Sequence, residues 1–293
     1  LDWSGDAVCS DRSVTVALTR YGEPDWLVGD ALRSLSKQQG IRTEVIFLDQ
    51  SPAGRIAETC ARLENEDCRI RYQPIPKRCL SYARNRAVEL ASSDVILFLD
   101  ADAVAEMTWA RRLHDAIADE AVGLAGARIL PAWHRRPLLL AQSPMVQDQY
   151  SIFDLGETRR PFYRVVGAGF GMHRLRLGND AHFDERLGRR PGSLLGGEES
   201  DLARRVIARG LTVLYEGRAV VHHQILPERV SYRWLFRRMF YAGLGRAVQG
   251  GQPTPSKQLT TRDHLALAII LPFYTAGYLC GMMSTSARYW HNG

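Results

Sequence analysis

The stretch Ser93 to Ala103, SDVILFLDADA, decides how the rest of the chain is read. Its apolar run, Val95 to Leu99, leads without a break into two carboxylates separated by one alanine, Asp100 and Asp102. The run is short and bounded by polar residues, which favours a strand covered on both faces, the habit of mostly parallel sheets, over a helix segment. In such sheets the ligand crevice lies outside the carboxyl ends of the strands. Alternate residues of an extended end point the same way, so Asp100 and Asp102 are expected on one side of that crevice. Two carboxylates there suit a hard divalent ion, Mg²⁺ or Mn²⁺, and the phosphates such an ion carries. One Asp-x-Asp arises by chance about once in a chain of this length, so the motif takes its meaning from its position and its neighbours.

The 293 residues suit one large domain, or one domain with an appendage. A hydrophobic share of 45% and a charged share of 24% are those of a globular protein. The net charge of +6 is modest and comes mostly from arginine; it fits phosphorylated substrates, an anionic membrane or nucleic acid alike. Cys9, Cys60, Cys68, Cys79 and Cys280 form no CxxC pair, and the expectation is a reduced, cytoplasmic protein. The chain opens on Leu1 with no secretory signal, as a trimmed sequence would.

Outward from the Asp pair, strand and helix patterns alternate every 20 to 30 residues or so, the mark of a doubly wound α/β sheet. After a loose lead-in over residues 1–12, Val14 to Leu18 reads as a first strand and Leu27 to Leu35 as a helix stopped by Gly40. Glu44 to Leu48 is a second strand ending in Asp49-Gln50-Ser51-Pro52, and Ile70 to Gln73 a third. A helix containing SYARNRA then leads back to the opening stretch. Three strand ends thus carry polar groups: Thr19 to Tyr21, Asp49, and the Asp pair. Asp49 can cap its own loop or accept a hydrogen bond from a nucleoside. No glycine-rich phosphate loop follows the first strand, so a phosphate site must rest on a metal and cationic side chains.

Asp49-x-Ser51 after a strand, a helix carrying Ala83-Arg84-Asn85, and a buried strand running into Asp100-Ala101-Asp102 resemble the nucleotide-binding half of family 2 glycosyltransferases of the GT-A fold. The resemblance implies donor-side roles for Thr19, Tyr21, Asp49, Arg84 and Asp100, and metal ligation by Asp102 with Asp100. It continues through the second half. A helix over Met107 to Asp119 and a strand over Val122 to Leu130 precede an irregular segment, residues 131–163, read as an acceptor loop or surface insertion. Val165 to Met172, VVGAGFGM, resembles the family's strand before the acceptor site, with Gly169 on the acceptor side. Phe183-Asp184-Glu185-Arg186-Leu187-Gly188 matches the family's next element.

GGEESDLARRVIARG, from Gly196, puts Glu198, Glu199 and Asp201 in the first turn of a helix. Acidic residues favour helix N-termini in any protein, because of the dipole. The family, however, has Gly-Glu-Asp-x-Asp-Leu here, and by that resemblance Glu199 is the general base, with Glu198 and Asp201 on the acceptor side. Short strands over Leu211 to Tyr215 and Ala219 to Val221 end in His222-His223. The family's terminal histidine implies His222 as a third metal ligand, with His223 turned the other way.

The expected fold is therefore α/β, a GT-A doubly wound, mostly parallel sheet flanked by helices, with a C-terminal helical appendage. Residues 1–228 are the expected catalytic domain, with a nucleotide-binding half over about 12–105 and an acceptor half over about 106–228; residues 229–293 are the appendage. The expected activity is an inverting, Mg²⁺- or Mn²⁺-dependent transfer from a nucleotide-diphospho-sugar, a UDP-sugar by resemblance, with no nucleic-acid partner. A sugar nucleotidyltransferase is the main rival but lacks its basic glycine-rich loop in ALTRYGEPD; a non-catalytic nucleotide-sugar scaffold would have no use for Glu199. In the appendage, Ser231 to Ala247 interleaves arginines with aromatics, a pattern that suits a membrane surface or an aromatic face packed on the domain. After GGQPTPSKQ, Leu265 to Met283 is uncharged and, as a helix, roughly 29 Å long against the ~30 Å of a bilayer core. Pro272, Gly277 and the short remainder favour a monotopic or re-entrant attachment on the cytoplasmic membrane face, with a lipid-linked or membrane-proximal acceptor; a dimer interface is the competing explanation.

Overall fold

The computed structural model describes residues 12–51, 55–249 and 260–290, with side chains to Ser284; the expected lead-in and the linker at 250–258 lie outside the described residues. In chain order the elements are β1 (Ser13–Arg20), α1 (Asp25–Leu35), β2 (Arg42–Asp49), α2 (Ile56–Leu63), β3 (Cys68–Pro74), α3 (Leu80–Leu90), β4 (Val95–Asp100) and β5 (Ala103–Ala105). They continue as α4 (Trp109–Ile117), β6 (Val122–Trp133), α5 (Pro144–Gln147), β7 (Arg160–Phe162), β8 (Gly169–His173) and α6 (Arg174–Leu177). The chain closes with α7 (Glu198–Ala208), β9 (Thr212–Ile225), α8 (Tyr232–Val248) and α9 (Thr261–Trp290).

The sheet runs β3-β2-β1-β4-β8-β6-β9-β5, with β7 on the side of β9. β1 pairs in parallel with β2 and β4, and β2 with β3, so these four strands end together. The register sets Arg20 beside Asp49 and Thr19 beside Asp100, which lines up the polar ends along one rim. β8 runs antiparallel between β4 and β6. Val95 to Leu99 lies in the middle of this sheet, with Ile96, Leu97, Phe98 and Leu99 essentially unexposed. Leu97 and Leu99 pack on one face with Trp109 and Leu113; Ile96 and Phe98 pack on the other with Ala83 and Leu202. Each such aliphatic side chain removed from water contributes roughly 1.5–3 kcal/mol. The alternation of faces explains why every residue of the run is apolar.

The structure departs from the sequence expectation in three places. α2 forms over a stretch whose few apolar residues, Ile56 and Cys60 among them, sit one turn apart and pack on the core. The two short strands expected near residues 211–221 are one long strand, β9, which reaches β6, β7 and β5 in turn. The segment at 131–163 is not structureless. It extends β6 to Trp133, adds short helical turns and returns as β7.

α8 begins at Ser231, whose hydroxyl accepts the Trp234 amide at 3.2 Å. α8 and α9 lie side by side, and glycine permits their approach. A Cβ at Gly277 would stand 1.9 Å from the Phe240 carbonyl oxygen, and one at Gly243 2.0 Å from that of Tyr274. A third cluster, including Leu140, Tyr150, Ile225, Leu235 and Ile270, ties this pair to β9 of the sheet.

Candidate active site

Arg84 is the centre of the site. It projects from α3, 1% exposed, against the rings of Phe170 and Phe183, each 5.6 Å from its guanidinium carbon. One terminal nitrogen donates to Glu199 Oε1 at 2.8 Å and Glu198 Oε1 at 3.1 Å. The other donates to Asp100 Oδ1 at 3.1 Å and the Gly167 carbonyl at 3.3 Å. Burial alone would lower its pKa, but the charges of Glu199, Asp100 and Glu198 outweigh that and hold it above the ordinary arginine value. A buried cation with three anionic partners is stable because each desolvated charge has a hydrogen-bonded counter-charge. Both terminal nitrogens are spent within the protein, so Arg84 joins the end of β4 to the start of α7.

The neighbouring Asn85 does a similar job one step out. Its side chain donates to the Phe183 carbonyl at 2.9 Å and accepts the Phe183 amide at 2.7 Å. This clasp ties the Phe183–Gly188 element to α3. Gly167 shows how little room remains: a Cβ there would lie 2.1 Å from Glu199 Oε1 and 2.7 Å from Arg84 Nη2. Gly169, expected on the acceptor side, instead pairs with Leu99 inside the sheet, where a Cβ would meet Val221 at 2.8 Å. Sequence reasoning missed Gly167, although it lies in the same VVGAGFGM stretch.

The three carboxylates around Arg84 differ in how readily they take up a proton. Burial, reinforced by the Asp102 charge, raises the Asp100 pKa to about 6 against the pull of Arg84. Burial and the charge of Glu199 raise Glu198 to about 7. For Glu199 the burial penalty is overcome by the charge and hydrogen bond of Arg84, which keep its pKa below the ordinary glutamate value. Glu199 is thus held ionised while Glu198 shares the protons. Asp201 turns to the outer side of α7, where it pairs with Arg204 at 2.9 Å and Arg205 at 3.0 Å; the structure does not bring it into this group.

Asp102 faces a different set of partners. Its Oδ2 is 2.7 Å from Arg229 and 3.4 Å from His223 Nε2. Burial would raise its pKa, but His223 and Arg229 together hold it far below the carboxylate range. β5 pairs antiparallel with β9, setting Ala103 opposite His223 and Val104 opposite His222. That parity is the reverse of the expected one: His223 is buried at the Asp pair, while His222 is half-exposed and pairs with Glu106 at 3.2 Å. Arg229 was not read from the sequence, because nothing local distinguishes it from the other arginines of this region.

At the end of β2 Asp49 is fully buried, with Oδ1 accepting the Ser51 amide at 2.8 Å and Oδ2 accepting from Tyr72 at 3.1 Å and Arg20 at 3.3 Å. Thr19 is buried at the β1 end, and Lys77 lies over the Tyr21 ring at 4.7 Å. These residues share the rim on which Asp100 sits.

Among the described residues no group of three or more His, Cys, Asp or Glu side chains is placed to hold a metal ion. Asp102 and His223 do stand side by side, and the buried Nδ1 of His223 has no hydrogen-bond partner. One carboxylate and one imidazole fit a divalent ion that brings its remaining oxygens from a diphosphate, as Mg²⁺ and Mn²⁺ at phosphate sites do.

A mostly parallel sheet with carboxylates at the β4 end, faced by a second carboxylate pair on a helix, is the GT-A architecture of glycosyltransferases. The family model described as "Glycosyl transferase family 2" matches residues 15–186, more than half of the chain, and the chain belongs to that family. It is 27% identical over 174 residues to the glucosyl-dolichyl phosphate glucuronosyltransferase of Haloferax volcanii, covering 58% of this chain and 56% of that protein. It is 25% identical over 271 residues to the pre-mycofactocin glycosyltransferase of Mycobacterium tuberculosis, covering 89% of this chain and 53% of that protein. The chain thus spans about half the length of these curated relatives. Among solved structures, the fold is shared with a mannosyltransferase from Pyrobaculum calidifontis in complex with GDP-Man and Mn²⁺, at 17% identity and TM-score 0.57, covering 94% of this chain and 75% of that one. GalNAc-T7 with UDP, GalNAc and Mn²⁺ aligns at 14% identity and TM-score 0.58, covering 96% of this chain and 58% of that one.

Proposed function

We propose that this chain transfers a glycosyl group from a nucleotide-diphospho-sugar to an acceptor hydroxyl with inversion at the anomeric carbon. The observation that carries the reading is Glu199: a carboxylate kept ionised by Arg84, on the helix facing the Asp100–Asp102 strand end. The acceptor O–H proton passes to Glu199 as the acceptor oxygen bonds to the anomeric carbon. On the opposite side the bond from that carbon to the diphosphate breaks, and the electron pair leaves with the nucleotide. One base and one displacement invert the centre.

Asp102 and His223, with Asp100 beside them, would hold the Mg²⁺ or Mn²⁺ that neutralises the departing diphosphate. Arg229, on the Asp102 carboxylate, adds positive charge at the same place. Thr19, Tyr21 and Asp49 frame the nucleoside end of the donor, and Arg84 positions carboxylates on both sides of the reaction. Glu198 works as a buffer to Glu199, on the acceptor side. A UDP-sugar is the favoured donor by family resemblance, and the two fold neighbours hold GDP-Man and UDP respectively. In this reading residues 1–228 are the catalytic domain and residues 229–293 place it at the cytoplasmic face of a membrane. The acceptor is lipid-linked or membrane-proximal, a reading supported by the dolichyl phosphate in the name of one relative.

The test is release of nucleoside diphosphate from a panel of UDP-, GDP- and dTDP-sugars, with Mn²⁺ or Mg²⁺, by the native chain and Glu199→Gln. Gln keeps the shape and the hydrogen bond from Arg84 but cannot take a proton. Transfer should fall by roughly 10²–10⁴ with donor affinity kept. Near-native turnover in that variant moves the base elsewhere.

A further inference from the structure

The outward face of α9 has no protein partner among the described residues. Leu265, Ile269, Leu271, Leu279 and Met283 stand 41% to 65% exposed along it. At the helical period Leu265, Ile269, Leu279 and Met283 fall close to one line, so the stripe is continuous. From His264 to Ser284 the helix carries no Asp, Glu, Lys or Arg. Its exposed hydroxyls are satisfied within the helix: Thr275 donates to the Leu271 carbonyl at 2.7 Å and Ser284 to that of Cys280 at 2.9 Å. Asp263, the nearest acid, is buried and accepts from Ser143 and the Met145 amide. Nothing polar on this face asks for water.

By length and composition α9 could cross a bilayer. Its inner face argues against that. Phe273 stacks on Phe236 with ring centroids 4.2 Å apart, Gly277 meets Phe240, and Gly281 meets Leu244, so α9 follows α8 in parallel for three turns. α8 is bound in turn to the loop ahead of the base-bearing helix. Arg237 donates to the Gly192 carbonyl at 2.7 Å, Arg238 to that of Leu194 at 3.0 Å, and Tyr241 to Gly192 at 3.1 Å. Taking α9 through a bilayer would draw these arginines and the catalytic sheet into hydrocarbon.

We infer that α9 is an in-plane membrane seat: its outward stripe is buried in one leaflet while α8 carries the contact to the loop that leads into Glu199. The occupant is an anionic lipid surface. Exposed Arg233 and Arg262, near the amino ends of the two helices, complement its headgroups, and no exposed acid interrupts the stripe. The inference deepens the proposed membrane-proximal reaction and rests on that reading for its purpose, since an acceptor held in the same leaflet would meet Glu199 without leaving the surface.

The test is vesicle flotation of the full chain with phosphatidylglycerol-containing and pure phosphatidylcholine vesicles, beside the double variant Ile269→Glu, Leu279→Glu. Both positions are exposed, so the fold should survive, as release of nucleoside diphosphate from the donor in vesicle-free solution will report. The native chain should float with anionic vesicles, and the double variant should partition about tenfold less or weaker still. In a Leu279→Trp variant, lipid brominated near the headgroup end of the acyl chain should quench the tryptophan more strongly than lipid brominated at the bilayer midplane. Three results would each overturn the seat: a native chain that stays in the soluble fraction, a double variant that floats as well as native, or a native dimer that the double variant dissociates, which would put a second copy on this face. Normal flotation without donor turnover by any variant would keep the seat and remove the transferase reading instead.

Discussion

Two close approaches between elements of this molecule are built in opposite ways. At the sheet rim, α3, β4 and α7 converge on one buried guanidinium, with Arg84 bonded to three carboxylates and a carbonyl. Between α8 and α9, backbones meet because Gly243, Gly277 and Gly281 have no side chains to keep them apart. The first contact is specific and electrostatic. It shifts the proton affinities of the carboxylates, and removing the arginine leaves them without their shared partner. The second is steric and close to charge-free, so it tolerates an apolar surrounding on its outer side. The proposed transfer draws on the first kind of contact, and the proposed lipid seat on the second.

The harshest way to break this contrast is Arg84→Met. It leaves Asp100, Glu198 and Glu199 without their shared cation, and the cost of such an uncompensated buried charge is roughly 3–5 kcal/mol. Denaturant unfolding should show a loss of that order, with α8–α9 contacts unaffected in the fraction that remains folded. A loss below about 1 kcal/mol would mean that solvent already reaches the carboxylates.

A smaller effect is expected at the helix pair. Gly277→Val forces side-chain carbons into the space of the Phe240 carbonyl oxygen, and overpacking of this kind costs roughly 1–3 kcal/mol. The damage should stay local. Limited proteolysis should cut α9 faster than in the native chain, while nucleotide binding at the sheet rim is retained. Equal loss of nucleotide binding would show that the two regions are one cooperative unit.

The mildest test sharpens the electrostatic side. Burial and Glu199 raise the Glu198 pKa from 4.5 in the unfolded chain to about 7 in the folded one. A raised folded pKa stabilises fully below pH 4.5, and the benefit is lost as pH climbs to about 7. Between pH 5.5 and 7.5, thermal stability should therefore drop by roughly a few degrees in the native chain. Glu198→Gln should flatten that slope. An unchanged slope would assign it to Asp100, whose pKa is raised in the same direction.

Much of the rim was legible because it is written locally. An apolar run ending in Asp-Ala-Asp, a helix with Arg-Asn, and acids at a helix start are contiguous patterns, and each appears where its pattern puts it. The misreadings at the site share one cause. His222 and His223 alternate sides in any extended chain, but which of them meets Asp102 depends on the pairing of β5 with β9, over a hundred residues apart. Gly167 and Gly169 look equally suited to close approach in sequence, and the antiparallel insertion of β8 beside β4 takes Gly169 into the sheet. Arg229 is one of many arginines in this region, and its place on Asp102 is set by the return of β9 into the turn before α8. α2 was missed because its apolar face is only a few residues wide.

By itself the sequence determined the α/β alternation, the strand that ends at Asp100 just ahead of Asp102, the helix that carries Glu198 and Glu199, and the apolar length of α9. These follow from periodicity and short motifs, which act between near neighbours. Tertiary structure decided that one arginine holds three carboxylates at unequal charge, that His223 and Arg229 share Asp102, and that α9 lies along α8 with a bare apolar side. Those outcomes depend on strand parity, on glycine-limited backbone distance and on the loss of water around buried charge. None of these quantities exists until residues far apart in the chain have been brought together.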